Sequence, residues 1–179
     1  MVEAVYARFG RCDVLVNNAG IVQTMTSLAA TTEEMFDRFY GVNTKAPMHL
    51  AARIATRMGA SGRGGCIVNI STMGALRPVG QLALYCSSKA ALIALTRSMA
   101  DEWAPLGVRV NAIAPGPFAT DMLDDLEGQI SGFREMSQNA TMLKRVADPN
   151  EIIGPVLFFA SAASSYVTGQ TLAVCGGAI

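Results

Sequence analysis

The sequence predicts an α/β fold built on a doubly wound parallel sheet, on three observations. Short apolar runs alternate with amphipathic stretches, an order that pairs strands in parallel through right-handed helical crossovers. Hydrophobic residues make up 51% of the 179 and charged residues 16%, a balance suited to strands covered on both faces. A chain of this length encloses one core, and no repeat, linker or second domain interrupts it.

In chain order, residues 2–10 have the apolar spacing of a helix that Gly10 ends. The run 12–17 is a short strand that turns at Asn18-Ala19-Gly20. Thr32-Glu33-Glu34-Met35 opens a helical region reaching about Met58, with a break expected near Gly41. The glycine-rich stretch 59–65 leads into a buried strand at 66–70. A helix from Tyr85 to Ala104 stops before Pro105, and 108–113 forms the next strand, broken by Pro115-Gly116-Pro117. Residues 118–146 mix methionine, acid and glycine without one period and suggest a mobile loop with short helices. Asp148 and Pro149 start a helix to about Ser161, and 170–174 is the last strand. Four strands are predicted.

Composition excludes several classes of function. Lysine plus arginine equals aspartate plus glutamate at 14 each, so no basic field recommends nucleic acid, and a small-molecule substrate is the expectation. Four scattered cysteines and a single histidine, His49, offer no metal-ligand spacing, so no metal is expected and the thiols are read as reduced. With no signal peptide and no run long enough to span a bilayer, the expected location is cytoplasmic.

The chemistry concentrates in Tyr85-Cys86-Ser87-Ser88-Lys89. Residues four apart on a helix share a face, so the Lys89 ammonium can stabilise an ionised Tyr85 phenol. A free phenol has a pKa of about 10, and work near neutrality needs it lowered by about 3, which is about 4 kcal/mol of preference for the anion. The cluster Gly59-Ala60-Ser61-Gly62-Arg63-Gly64-Gly65 is no phosphate loop. It follows a helix and feeds a strand, whereas a phosphate needs a loop that opens a helix N-terminus.

Five features in order, Asn-Asn-Ala-Gly at 17–20, a helical Asn43, Ser71 or Thr72 after a strand, Tyr-x-x-x-Lys at 85–89 and Pro-Gly-x-x-x-Thr at 115–120, resemble the short-chain dehydrogenase/reductase family. The likeness covers essentially the whole chain. It implies the C-terminal part of a Rossmann-like sheet, and an NAD- or NADP-dependent oxidoreductase interconverting an alcohol and a ketone or aldehyde. Tyr85 is then the acid/base and Lys89 also binds the nicotinamide ribose. The family's serine, which hydrogen-bonds the substrate oxygen, usually lies thirteen residues before the tyrosine. That register lands on Thr72, while Ser71 keeps the spacing to Gly74; Ser71 is favoured and Thr72 is the alternative. Asn43 matches an asparagine that holds a helical kink open and relays protons through water to the lysine. Asn18, Ala19 and Gly20 match the turn along the adenosine ribose, and Asn17 is structural. Pro115 and Gly116 let the chain pass the nicotinamide, with the Phe118 backbone and Thr120 hydroxyl holding its carboxamide. Residues 117–146 form the substrate loop.

The resemblance also implies a preceding glycine-rich cofactor segment of roughly 70 residues, two βα units and a strand, that these residues lack. The strand at 12–17 is then an apolar sheet edge. Two alternatives follow: a shortened, non-catalytic partner in an oligomer, or a related epimerase or dehydratase using the same Tyr and Lys. Relatives pair through the helices at 41–58 and 85–104, which implies a homo-oligomer, dimer or tetramer. Cys175 stands where relatives carry an aspartate at the last turn. Leu76, Val79, Leu82 and Leu84, with the methionines of the substrate loop, hint at an apolar or cyclic substrate.

Overall fold

The computed structural model describes residues 1–22 and 24–178. Its sheet comprises β1 (Val14–Asn17), β2 (Gly65–Ile70), β3 (Val108–Pro115) and β4 (Thr171–Val174), all parallel and in chain order. Helix α1 (Val2–Phe9) leads into β1 through Gly10, whose φ of 68° is the left-handed cap the sequence required. Helices α2 (Glu33–Tyr40) and α3 (Ala46–Ala60) cross from β1 to β2, and α4 (Ala83–Trp103) from β2 to β3. Helices α5 (Asp121–Gln129), α6 (Phe133–Ala140) and α7 (Ile153–Ala160) lie between β3 and β4.

Alternation along β2 sorts its side chains between two layers. Ile67 packs with Val2, Ile54, Met58, Met99 and Trp103 on one face, whereas Cys66 and Val68 pack with Ile113 and Phe159 on the other. The sheet is therefore doubly wound, and the Rossmann-like reading of its strands and flanking helices holds. Arg109 closes the second layer. Its guanidinium donates to Phe159 O at 2.9 Å, Ser161 O at 3.3 Å and Ser164 Oγ at 2.8 Å, placing a cation where the carbonyl end of α7 is negative.

Two boundaries differ from expectation. Pro115 does not break β3 but ends it in register with Val174; that side of the ladder takes the N–H groups of Ala112 and Gly116, so the proline's missing donor is not needed. The last helix opens with a 3-10 turn at Pro149–Ile152, where Asp148 accepts from Asn150 N and Glu151 accepts from Asp148 N, both at 2.8 Å. Residues 118–147 hold the short helices expected there, α5 and α6, and a parallel bridge between Phe118 and Ala147 joins the ends of the excursion. At β1, Val14 and Val16 are 38% and 39% exposed, the apolar edge foreseen. Among the described residues no helix is long and apolar enough to cross a membrane.

Candidate active site

The break near Gly41 is a π-helical segment, Gly41–Lys45, set between α2 and α3. Wider turns of this kind mark functional positions in helices. Asn43 sits inside it, fully buried, and ties three elements together. Its Oδ1 accepts from Ile21 N at 2.9 Å; its Nδ2 donates to Ile21 O at 3.0 Å and to Ser88 Oγ at 3.1 Å. Thr44 adds a bond from its hydroxyl to Ser88 O at 2.8 Å. The loop after β1, the kinked helix and the Tyr85 helix are thus locked by uncharged, buried hydrogen bonds. Ser88 and Thr44 escaped the motif reading because hydroxyl residues are common in helices; their pairing across 44 residues is visible only in three dimensions.

Lys89 lies one helical turn beyond Tyr85 and is 3% exposed. Its Nζ donates to Ile70 O, the last carbonyl of β2, at 2.8 Å, and burial lowers its pKa to about 8. At the half-buried Tyr85, burial pushes the phenol's pKa up and a hydrogen bond with Thr72 acts in the opposite direction.

The two hydroxyls after β2 separate by role. Ser71 Oγ, buried, donates to Lys89 O at 2.9 Å and so pins the strand end to the backbone of α4. Thr72 caps a 3-10 turn at Met73–Ala75, accepting from Gly74 N at 3.3 Å, and its hydroxyl meets Tyr85.

The glycine of the Asn18-Ala19-Gly20 turn faces the same spot. A Cβ on Gly20 would lie 2.9 Å from Lys89 Nζ and 3.2 Å from Asn43 Oδ1, so only glycine lets this turn approach the ammonium. Asn17 is buried in the sheet, bonded to Asn69 Oδ1 at 2.8 Å, and Asn69 in turn to Thr96 at 2.9 Å. Gly116 is equally constrained, since a Cβ there would lie 2.7 Å from Cys175 Cα. Phe118 O accepts from Thr120 N at 2.9 Å, which bends the chain into α5. Leu82 and Leu84 are core residues at 7% and 5% exposure, a correction to their place in the apolar substrate set. Among the described residues no group of histidine, cysteine and acidic side chains could hold a metal ion.

The family model described as Enoyl-(Acyl carrier protein) reductase matches residues 1–178. The chain belongs to the short-chain dehydrogenase/reductase family. It is 41% identical over 172 residues to an uncharacterised short-chain type dehydrogenase/reductase of Sinorhizobium fredii, covering 95% of this chain and 30% of that protein. It superposes on gluconate 5-dehydrogenase of Burkholderia cenocepacia, solved with NADP and tartrate, with a TM-score of 0.91 at 34% identity, over 98% of this chain and 68% of that one. The match to an NAD+-bound xylitol dehydrogenase has a TM-score of 0.91 at 29% identity, over 98% and 72% of the two chains. The chain thus spans under a third of the Sinorhizobium protein and roughly two-thirds of the two solved dehydrogenases. By resemblance to these dehydrogenases it is an enzyme chain of the family.

Proposed function

We propose that this chain carries the proton-transfer machinery of an NAD(P)-dependent interconversion of an alcohol and a ketone or aldehyde. The observation that carries the reading is the meeting of Tyr85 with Thr72 beside a buried Lys89 that faces the Gly20 turn. Tyr85 gives or takes the proton on the substrate oxygen. Thr72 is the hydroxyl placed to hydrogen-bond that oxygen, because Ser71 is committed to Lys89 O. Lys89, with Asn43 holding the Ile21 loop beside it, keeps a positive charge next to the proton path.

The residues fit a dinucleotide. Lys89 spends one N–H on Ile70 O and has others for ribose hydroxyls, and the side-chain-free Gly20 gives the close approach that a ribose needs. Asn18, Ala19 and Gly20 would lie along the adenosine ribose, with Pro115, Gly116, Phe118 and Thr120 at the nicotinamide. When bound, the nicotinamide supplies or accepts the hydride. Residues 117–146 form a substrate loop over this site in one Rossmann-like domain that includes the whole chain. Named relatives are dehydrogenases and reductases, so neither the non-catalytic partner nor the epimerase or dehydratase is favoured. A cytoplasmic homo-oligomer completes the proposal.

Titration of the 179-residue chain with NADH and NADPH, followed by reduced-nicotinamide emission, tests the site. Saturable enhancement is expected, with Tyr85→Phe keeping the affinity within a few-fold and losing turnover of any alcohol that the unaltered protein oxidises. Turnover by Tyr85→Phe equal to that of the unaltered protein would remove Tyr85 from the mechanism.

A further inference from the structure

Thr72 Oγ1 has one hydrogen to donate and two lone pairs with which to accept. Gly74 N–H occupies one lone pair at 3.3 Å, inside the 3-10 turn that Thr72 caps. The same hydroxyl is hydrogen-bonded to Tyr85. With one lone pair taken by the amide, the hydroxyl's hydrogen and its second lone pair remain for the phenol, and toward an ionised phenol the hydroxyl can only donate. A run of donors from amide to hydroxyl to phenol polarises each member and favours negative charge at its end. Thr72 is thus the residue through which β2's exit loop meets the phenol.

Gly74 has no room for a side chain. A Cβ would lie 2.9 Å from Cys86 Sγ, and 3.6 and 3.7 Å from Thr72 Cγ2 and Oγ1. Cys86 is buried and follows Tyr85 on α4, so its sulfur sets how closely the turn at 73–75 approaches the helix carrying the phenol. Cys86 and Gly74 together fix the spacing across which Thr72 reaches Tyr85.

We propose that Gly74 is a positioning residue for proton transfer at Tyr85: its N–H orients the Thr72 hydroxyl toward the phenol, and its contact with Cys86 sets that geometry. The inference rests on Tyr85 being the acid/base, yet its test needs neither cofactor nor turnover. Tyrosines are replaced by 3,5-difluorotyrosine, whose lower intrinsic pKa brings ionisation into the range where the fold persists. Tyr85 is then titrated by fluorine NMR, its signal assigned from Tyr85→Phe, with the urea midpoint as control of folding. Thr72→Ser keeps the hydroxyl and should titrate with the unaltered protein. Thr72→Val and Gly74→Ala should titrate about one pH unit higher, a tenfold change in the ionisation constant. Gly74→Ala combined with Cys86→Ala removes the obstructing sulfur and should return toward the unaltered value. An unshifted Thr72→Val overturns the proposal whatever the fate of Gly74→Ala. A folded Gly74→Ala that titrates normally, or a double variant that stays shifted, also overturns it. Failure to bind cofactor would sink the reading of the site while leaving this titration measurable; an unshifted titration would sink the inference and leave cofactor binding intact.

Discussion

The Tyr85 end of the sheet and the excursion at 118–147 are held by opposite kinds of force. Around Tyr85 the fastenings are uncharged and buried: Asn43 to Ile21 and Ser88, Thr44 to Ser88, Ser71 to Lys89, Asn69 to Thr96. In the excursion they are carboxylates at the surface: Glu127 accepting from Gly132 N and Arg134 N, Asp124 paired with Arg134, and Glu151 with Arg145. Buried polar bonds lose heavily when one partner is removed, because the other is left without water. Exposed pairs exchange readily with solvent and salt. One region is built to keep its geometry and the other to open.

The largest test of that contrast is Asn43→Leu. It leaves Ile21 N and Ile21 O without their partner at a partly buried site and takes one donor from Ser88 Oγ, which keeps its bond to Tyr85 O; at about 1–3 kcal/mol for each of the two orphaned groups the expected loss is about 3 kcal/mol. The urea midpoint measures it. A loss below about 1 kcal/mol would mean that the π segment does not depend on these bonds, and the contrast would fail at its strongest point.

A second test concerns Lys89, a charge placed inside the uncharged region. Its pKa falls from an ordinary 10.5 to about 8 through burial, which is about 3 kcal/mol against the folded ammonium. The unfolded chain therefore holds more protons between pH 8 and 10.5, and stability should rise as pH climbs through that window. Below pH 8 the full penalty applies. Lys89→Met should abolish this rise. At neutral pH it should gain about 1 kcal/mol, the relief being offset by an orphaned Ile70 carbonyl. Urea midpoints across the pH range decide the matter; a rise that persists in Lys89→Met belongs to another group.

The sequence made one of these regions far more legible than the other. Alternation and caps located every strand, and Asn43 was singled out by its match to the family's helical asparagine. What spacing could not resolve was the division of labour between Ser71 and Thr72. Adjacent residues leaving a strand point in opposite directions, and a count back from Tyr85 does not say which one turns to the phenol. Leu82 and Leu84 misled for a related reason, since apolar side chains beside a site look the same whether they line it or fill the core. The bonds of Arg109 to the end of α7 run across some 50 residues and leave no local signal. In 118–147 no single period exists to read, because two short helices, α5 and α6, are joined by the left-handed Gly132 and held by side-chain contacts rather than by an apolar stripe.

The smallest effect expected is on that excursion's surface pairs. Arg145 beside Glu151 holds the carboxyl pKa down to about 2, below the ordinary 4.5. The stabilisation is therefore present above pH 4.5 and is lost as pH falls toward 2. Both partners are exposed, so Glu151→Gln should shift the global urea midpoint little. Hydrogen exchange is the sharper measure, because local opening is read amide by amide. Amides of α6 should exchange faster in Glu127→Gln and in strong salt, while those of α4 keep their protection in both. Equal acceleration in α4 would show that the excursion and the Tyr85 helix unfold as one unit. Protection of α6 unchanged by either treatment would show that buried Leu123 and Leu126, not the carboxylates, hold the excursion down. In that case opening of the excursion would be governed by apolar contact, and salt would leave it unaffected.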